Sequence, residues 1–116
     1  MHELSVATAV VDTALRHAGG RQVTHVTLRV GRLRQVIPDS LALWWDICTR
    51  ETACAGSVLE QVVVPASVRC VPCGREWNPE DALFRCAVCG GAGEVVTGNE
   101  LEVESIEVEE GAQCIA

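Results

Sequence analysis

Four of the seven cysteines fall into two Cys-x-x-Cys pairs, Cys70/Cys73 and Cys86/Cys89, with residues 74–85 between them. Two residues between ligands let a tight turn aim both sulfurs at one ion, and two such turns face to face complete a tetrahedron at ~2.3 Å. A glycine follows each second cysteine, Gly74 and Gly90. It frees the backbone to turn while its amides point at sulfur and orient the thiolates. Tetrahedral four-sulfur sites hold Zn²⁺ or, less often, iron. A redox role is disfavoured, because thioredoxin-type pairs open a helix after a strand and are not duplicated with knuckle glycines. With no open coordination position, such a site staples structure and is not a reaction centre. The segment that carries it, Pro65 to Thr97, is rich in Cys, Gly and Pro. It has too few core residues to fold alone, so metal binding supplies its stability.

Cys48, Cys54 and Cys114 are scattered, and an odd total cannot close into disulfides within one chain. No basic segment followed by an apolar stretch opens the sequence, so the expected compartment is a reducing cytoplasm. No apolar run approaches the ~20 residues of a membrane span. The 116 residues carry a formal charge of −7, and a four-thiolate zinc site would add to it. This balance argues against nucleic acid as a partner, and the 3% aromatic content offers no stacking platform.

Outside the cysteine segment the hydrophobic period assigns the elements. Leu4, Ala7, Val11, Ala14, Leu15 and Ala18 recur at helical steps, and Gly19-Gly20 ends that helix. From Val23 to Val30 the period changes to two, with Val26, Leu28 and Val30 on one face and His25 among the exposed positions. Gly31 marks a bend or bulge. Pro38-Asp39 opens a second helix, since proline suits the first turn and the aspartate faces the positive end of the dipole. Its stripe of Leu41, Trp44, Trp45 and Cys48, widened by Leu43 and Ile47, predicts that most of it is buried. Thr52 to Ser57 reads as a loop, and Val58 to Val64 as a strand covered on both faces. Asn99 to Glu109 is a strand whose parity changes near Ser105, which implies a bulge. The expected fold is α+β: a small three-stranded antiparallel sheet packed with two helices, plus an inserted zinc ribbon.

Met1-His2-Glu3 offers a second metal chemistry. A free α-amine, the deprotonated amide nitrogen of His2 and its imidazole Nδ1 can chelate one ion through a five- and a six-membered ring. Nitrogen donors in a plane favour Ni²⁺ or Cu²⁺, whose square-planar geometry is natural, over Zn²⁺. Glu3 can add its amide nitrogen or its carboxylate. Taken alone, the tripeptide reads more readily as a chain start followed by a helix-initiating glutamate.

Met1-His2-Glu3-Leu4-Ser5, Val30-Gly31, Cys70-x-x-Cys73-Gly74, Cys86-x-x-Cys89-Gly90 and Gly98-Asn99-Glu100-Leu101 occur together here. With them the chain resembles, over essentially its whole length, the HypA/HybF nickel-insertion proteins of [NiFe]-hydrogenase maturation. The resemblance implies a nickel metallochaperone, not an enzyme. His2 would be the principal nickel ligand, helped by the Met1 amine and the backbone of His2 and Glu3. Asp39 falls where some relatives bring a carboxylate near the nickel, although helix initiation explains it as well. Cys70, Cys73, Cys86 and Cys89 would hold zinc. Residues 1–66, completed by 97–116, would form the nickel-binding domain and residues 67–96 the zinc domain. The implied partners are a HypB-type GTPase, the hydrogenase large-subunit precursor and, in some organisms, urease maturation proteins. A homodimer is among the assemblies it allows.

The rival from another class is a zinc-ribbon interaction module without nickel delivery. Other residues invite over-reading. His17 suits the C-terminal dipole of the first helix, and Trp44 and Trp45 are core before they are a ligand cage. Cys48 reads as a small buried hydrophobe, Cys54 as an oxidisable loop residue, and Cys114 as part of the tail. Arg29, Arg32 and Arg34 form either a solvated face or a docking patch for an acidic surface, and some of the glutamates of the last strand are expected to pair with them.

Overall fold

The computed structural model describes residues 3–79, 84–109 and 111–114, the last group by its backbone alone. Helix α1 spans Glu3–Ala18 and ends where Gly19 and Gly20 take left-handed backbone angles of +61° and +85°. Strand β1 (Val23–Gly31) follows, then a single 3₁₀ turn over Arg32–Arg34 and helix α2 (Pro38–Thr49). After β2 (Val58–Val64) the chain runs through β3 (Ser67–Cys70), β4 (Glu76–Trp77) and β5 (Gly93–Thr97). It returns as β6 (Leu101–Val108) and finishes with β7 (Gly111–Cys114). Among the described residues no helix is long and apolar enough to cross a membrane.

Two sheets result. The larger has the order β2-β1-β6-β7 and the smaller β4-β3-β5. The α+β class stands, but the larger sheet is mixed and not antiparallel, because β1 pairs with β2 in parallel, His25 opposite Val58 through Gly31 opposite Val64. The cause is the connection: with α2 between them, the second strand re-enters in the direction of the first, as crossover units do. The last strand pairs antiparallel with β1, and the predicted bulge is present. Leu28 faces Val103 while Thr27 faces Ser105, so Glu104 is the extra residue. That insertion lets Val103, Ile106 and Val108 all reach the core despite their opposite parity. A fourth strand, β7, adds to β6 where a tail was expected, with Cys114 opposite Ser105.

The core is one cluster built from α1, α2, β1 and β6. Val6, Ala7, Val10, Val11, Ala14 and Ala18 pack against Val26, Leu28, Ile106, Leu41 and Trp45. Leu4, expected in this stripe, is instead exposed, because the helix turns Val6 and Val10 inward. α2 is also less buried than its sequence suggests. Leu41 and Trp45 are enclosed, whereas Leu43 is 60% and Ile47 39% exposed, since α2 leans chiefly on α1 and offers it one narrow face. Trp45 anchors this face by donating its indole N–H to Ser57 Oγ at 3.1 Å. β2, expected to be covered on both sides, is an edge strand with Val58 and Val63 exposed. Cys54 is not an oxidisable loop thiol, for it is fully buried, and burial pushes its pKa up. Cys48 is half-buried, and His25 is half-buried with Nε2 3.1 Å from Glu60 Oε1.

The two sheets meet where Pro65-Ala66 leaves and Thr97-Gly98 returns. Gly31 N–H donates to the Glu100 carbonyl (2.7 Å) and Leu33 N–H to that of Gly98 (2.8 Å). The Glu100 carboxylate accepts from Gly98 N–H (2.8 Å), and Arg34 Nε donates to the Asn99 carbonyl (2.9 Å). Gly31 is glycine here for space and not for a turn: a Cβ on it would run into the Gly98 carbonyl. The Val30-Gly31 and Gly98-Asn99-Glu100-Leu101 pieces thus form one junction. Gly31→Ala should lower stability by about 1–3 kcal/mol, the usual cost of overpacking a tight contact. Urea unfolding followed by tryptophan fluorescence measures this; an unchanged midpoint would show that the approach carries no constraint.

Candidate metal centres

β3 delivers Cys70 at its last residue, and the chain then folds into a knuckle. Gly74 N–H donates to the Cys70 carbonyl at 2.9 Å, and Cys70 N–H to the Arg75 carbonyl at 2.7 Å. The second knuckle repeats this pattern. Gly90 N–H donates to the Cys86 carbonyl and Cys86 N–H to that of Gly91, both at 2.9 Å. Gly74 and Gly90 have φ of +78° and +72°, the left-handed angles the turn requires. The knuckles interlock because Gly91 lacks a side chain: a Cβ there would press on the Pro72 ring and on Cys70 Sγ.

All four sulfurs lie within 4.8 Å of one another, with Cys70 and Cys89 Sγ 3.4 Å apart and Cys73 and Cys86 Sγ 3.8 Å apart. A tetrahedron with ~2.3 Å metal–sulfur bonds has edges of about 3.8 Å. The donor set and its spacing therefore fit a tetrahedral ion of the zinc type. Cys70 and Cys86 are buried, while Cys73 and Cys89 lie on the outer side. The site's electrostatics differ between knuckles. Backbone N–H groups of Cys89 and Val88 bring the Cys86 thiol down to about 6, whereas burial pushes Cys70 up to about 12. Bringing the second group to its thiolate form takes the positive charge of a metal. The surroundings are thin. Among the described residues, the apolar core cluster takes none from 60–100, and the buried apolar side chains of this segment besides the cysteines are Ala66, Val68 and Pro79. Arg75 stacks over the Trp77 ring at 5.6 Å on the flank of this sheet.

At the other end, α1 starts beside the start of α2. Glu3 Oε2 accepts the Ile37 N–H and Glu3 Oε1 the Ser40 hydroxyl, each at 3.3 Å. The Ile37 N–H beside it holds the Glu3 carboxyl below its ordinary value. That contribution to stability is present above the unfolded carboxyl pKa and is lost as pH falls through the folded one. Asp39, in the first turn of α2, is exposed and has no hydrogen-bond or ion-pair partner among the described residues. The structure thus ties Glu3 to the helical turn that carries Asp39, whereas Met1 and His2 lie outside the described residues. Ile37 and Ser40 were not singled out in the sequence. The available signal was an apolar residue at the N-cap position before Pro38, which cannot cap its own helix. His17 Nδ1 lies 2.9 Å from the Thr13 carbonyl and stays with its own helix. The arginines are mostly structural: Arg29 pairs with Glu102 at 2.8 Å, as expected for neighbouring strands, and Arg34 serves the junction.

A profile of the family described as hydrogenase/urease nickel incorporation, metallochaperone, HypA matches residues 1–108. This chain belongs to the HypA family. It is 40% identical over 110 residues to hydrogenase maturation factor HypA of Geobacter metallireducens, covering 94% of this chain and all of that relative. It is 41% identical to the HypA of Streptomyces avermitilis, covering 96% and 89% of the two chains. The fold is similar to the solution structure of the Ni metallochaperone HypA from Helicobacter pylori, with a TM-score of 0.69 at 20% identity, over 93% of this chain and 97% of that one. As a HypA-family hydrogenase-maturation metallochaperone with a four-cysteine zinc-type site, the chain is not an enzyme.

Stripping the metal with a strong chelator should release one zinc per chain. It should collapse the NMR dispersion of β3, β4 and β5 amides while leaving those of α1 and β1 in place. Retention of the β3–β5 pattern in metal-free protein would contradict a metal-dependent sheet.

Proposed function

We propose that this chain carries Ni²⁺ at its amino terminus and hands it to the hydrogenase large-subunit precursor in the cytoplasm. Met1 amine, His2 amide and imidazole nitrogens, and the Glu3 amide form the chelate, with Asp39 as the nearby carboxylate. Cys70, Cys73, Cys86 and Cys89 hold a structural Zn²⁺. Residues 1–66 with 97–116 serve as the nickel domain and residues 67–96 as the zinc domain. A HypB-type GTPase is the donor or co-deliverer, and urease maturation proteins are alternative recipients.

The observation that carries this reading is the family match that begins at residue 1 and runs to 108. The chemistry agrees with it. A sealed four-thiolate cage exchanges its ion slowly, so it suits architecture; a chelate at a chain end, ligated largely by backbone, opens readily to an incoming ligand. Planar nitrogen donors prefer Ni²⁺ to Zn²⁺, which keeps the two ions in separate sites.

Calorimetric titration of zinc-loaded protein with Ni²⁺ tests the reading: one site is expected in the wild type, lost in His2→Ala. Equal binding by both proteins would overturn it. Protons must leave the imidazole (~6.5) and the α-amine (~7.7–8.0) before nickel binds. Affinity is therefore expected to fall at least about tenfold between pH 7.5 and 6; a flat profile would contradict amine and imidazole ligation.

A further inference from the structure

β2 is an edge of the larger sheet with its outer side open. Its seven residues, Val58–Val64, pair with β1 in an unbroken register. Among the described residues no backbone group pairs with the other side. Edge strands are ordinarily blunted by lysine, proline, a bulge or a covering segment. β2 has no lysine, proline or bulge within its span. Its one charged side chain, Glu60, is drawn back over the sheet to His25 Nε2 at 3.1 Å. Val58, Val62 and Val63 are exposed instead, and valine is a residue that suits strand pairing. The free edge is thus long, apolar and ready to pair.

Where this edge ends, the surface changes. Val36, Pro38 and Val63 border a hollow of about 230 Å³, and Gln61 Nε2 donates to the Pro38 carbonyl beside it at 3.0 Å. Arg32 lines the same hollow and follows Gly31, the residue paired with Val64. Its side chain is exposed and has no hydrogen-bond or ion-pair partner among the described residues. In a chain with 16 acidic and 9 basic side chains, a cation left without a carboxylate is available to one from outside. We propose that the β2 edge takes up an extended segment of another protein as an added strand, with an apolar side chain in the hollow and a carboxylate on Arg32. The open N–H and C=O groups of β2 supply affinity, while the hollow and Arg32 supply selectivity. A second copy of this chain fits less well. Antiparallel pairing of two β2 strands centred on Gln61 would bring Ala55-Gly56-Ser57 to Arg32, none of them acidic. It would also join two chains of formal charge −7 each. The β2 edge and Arg32 belong to neither metal site, so docking here does not depend on nickel.

The probe is a heptapeptide of alternating threonine and valine ending in aspartate, blocked at both ends and added to the full zinc-loaded chain. Amide NMR shifts are expected on residues 58–64 and on Arg32. The β2 amides that point outward should also exchange more slowly, which adhesion to an apolar surface without strand pairing would not cause. Arg32→Glu should bind this peptide at least about fivefold more weakly, the factor for an exposed ion pair at the strong end of its range. A peptide ending in lysine should reverse the order of the two proteins. Unmoved amide shifts of the buried Val26 and Leu28 report that the variant keeps its fold. Absence of β2 shifts at millimolar peptide, shifts centred away from this edge, or equal binding by both proteins would overturn the proposal. So would sedimentation that finds the chain already dimeric and made monomeric by Val62→Lys, since the edge would then be covered by a second copy.

Discussion

Four sulfurs within 4.8 Å of one another hold together a part of the chain that has almost nothing else to hold it. The β4-β3-β5 sheet is short, Val95 and Val96 face water, and its buried apolar residues among those described are few. Elsewhere apolar burial offsets the conformational entropy of folding; here a metal–thiolate cage takes that place. The consequence is functional. An ion that stabilises the fold cannot also be the ion that is given away, so a carrier built on this frame needs a second, weaker site. The proposed amino-terminal chelate, with nitrogen donors in place of sulfur, would be chemically different from it.

Two contacts tie these places to a common body. At one end the Glu3 carboxylate bridges α1 to the uncapped start of α2. At the other, Gly31 lies so close to the Gly98 carbonyl that it has no room for a side chain, and a Cβ on Gly98 would run into Ala66. The strands leading into and out of the cysteine segment are thus gripped by the end of β1. β1 itself is the central element: it pairs with both β2 and β6, and its residues Val26 and Leu28 are fully buried.

Much of this was legible in the sequence. The cysteine spacing and knuckle glycines foretold the four-sulfur cluster, because ligand geometry leaves few alternatives. The periods of α1, β1 and α2 placed those elements, and the parity change near Ser105 foretold the bulge. Strand direction was misread. Parallel pairing of β1 and β2 is decided by the intervening helix, and the alternation of residues within each strand carries no trace of it. The exposure of Leu43, Ile47 and Val63 likewise escaped, since an apolar run tells what could be buried and not which face finds a neighbour. β7 is too short for its pattern to register. At the amino terminus the residue types suggested donors, but the capture of the Glu3 carboxylate by Ile37 and Ser40 is a tertiary contact invisible to local pattern.

The central claim is that nickel and zinc occupy chemically separate sites in one small chain. X-ray absorption at both metal edges of protein loaded with one equivalent of each tests it directly. The account predicts a nickel shell of nitrogen and oxygen only, and a zinc shell of four sulfurs at ~2.3 Å that is the same with and without nickel. Sulfur in the nickel shell, or fewer than four sulfurs around zinc once nickel is bound, would contradict it.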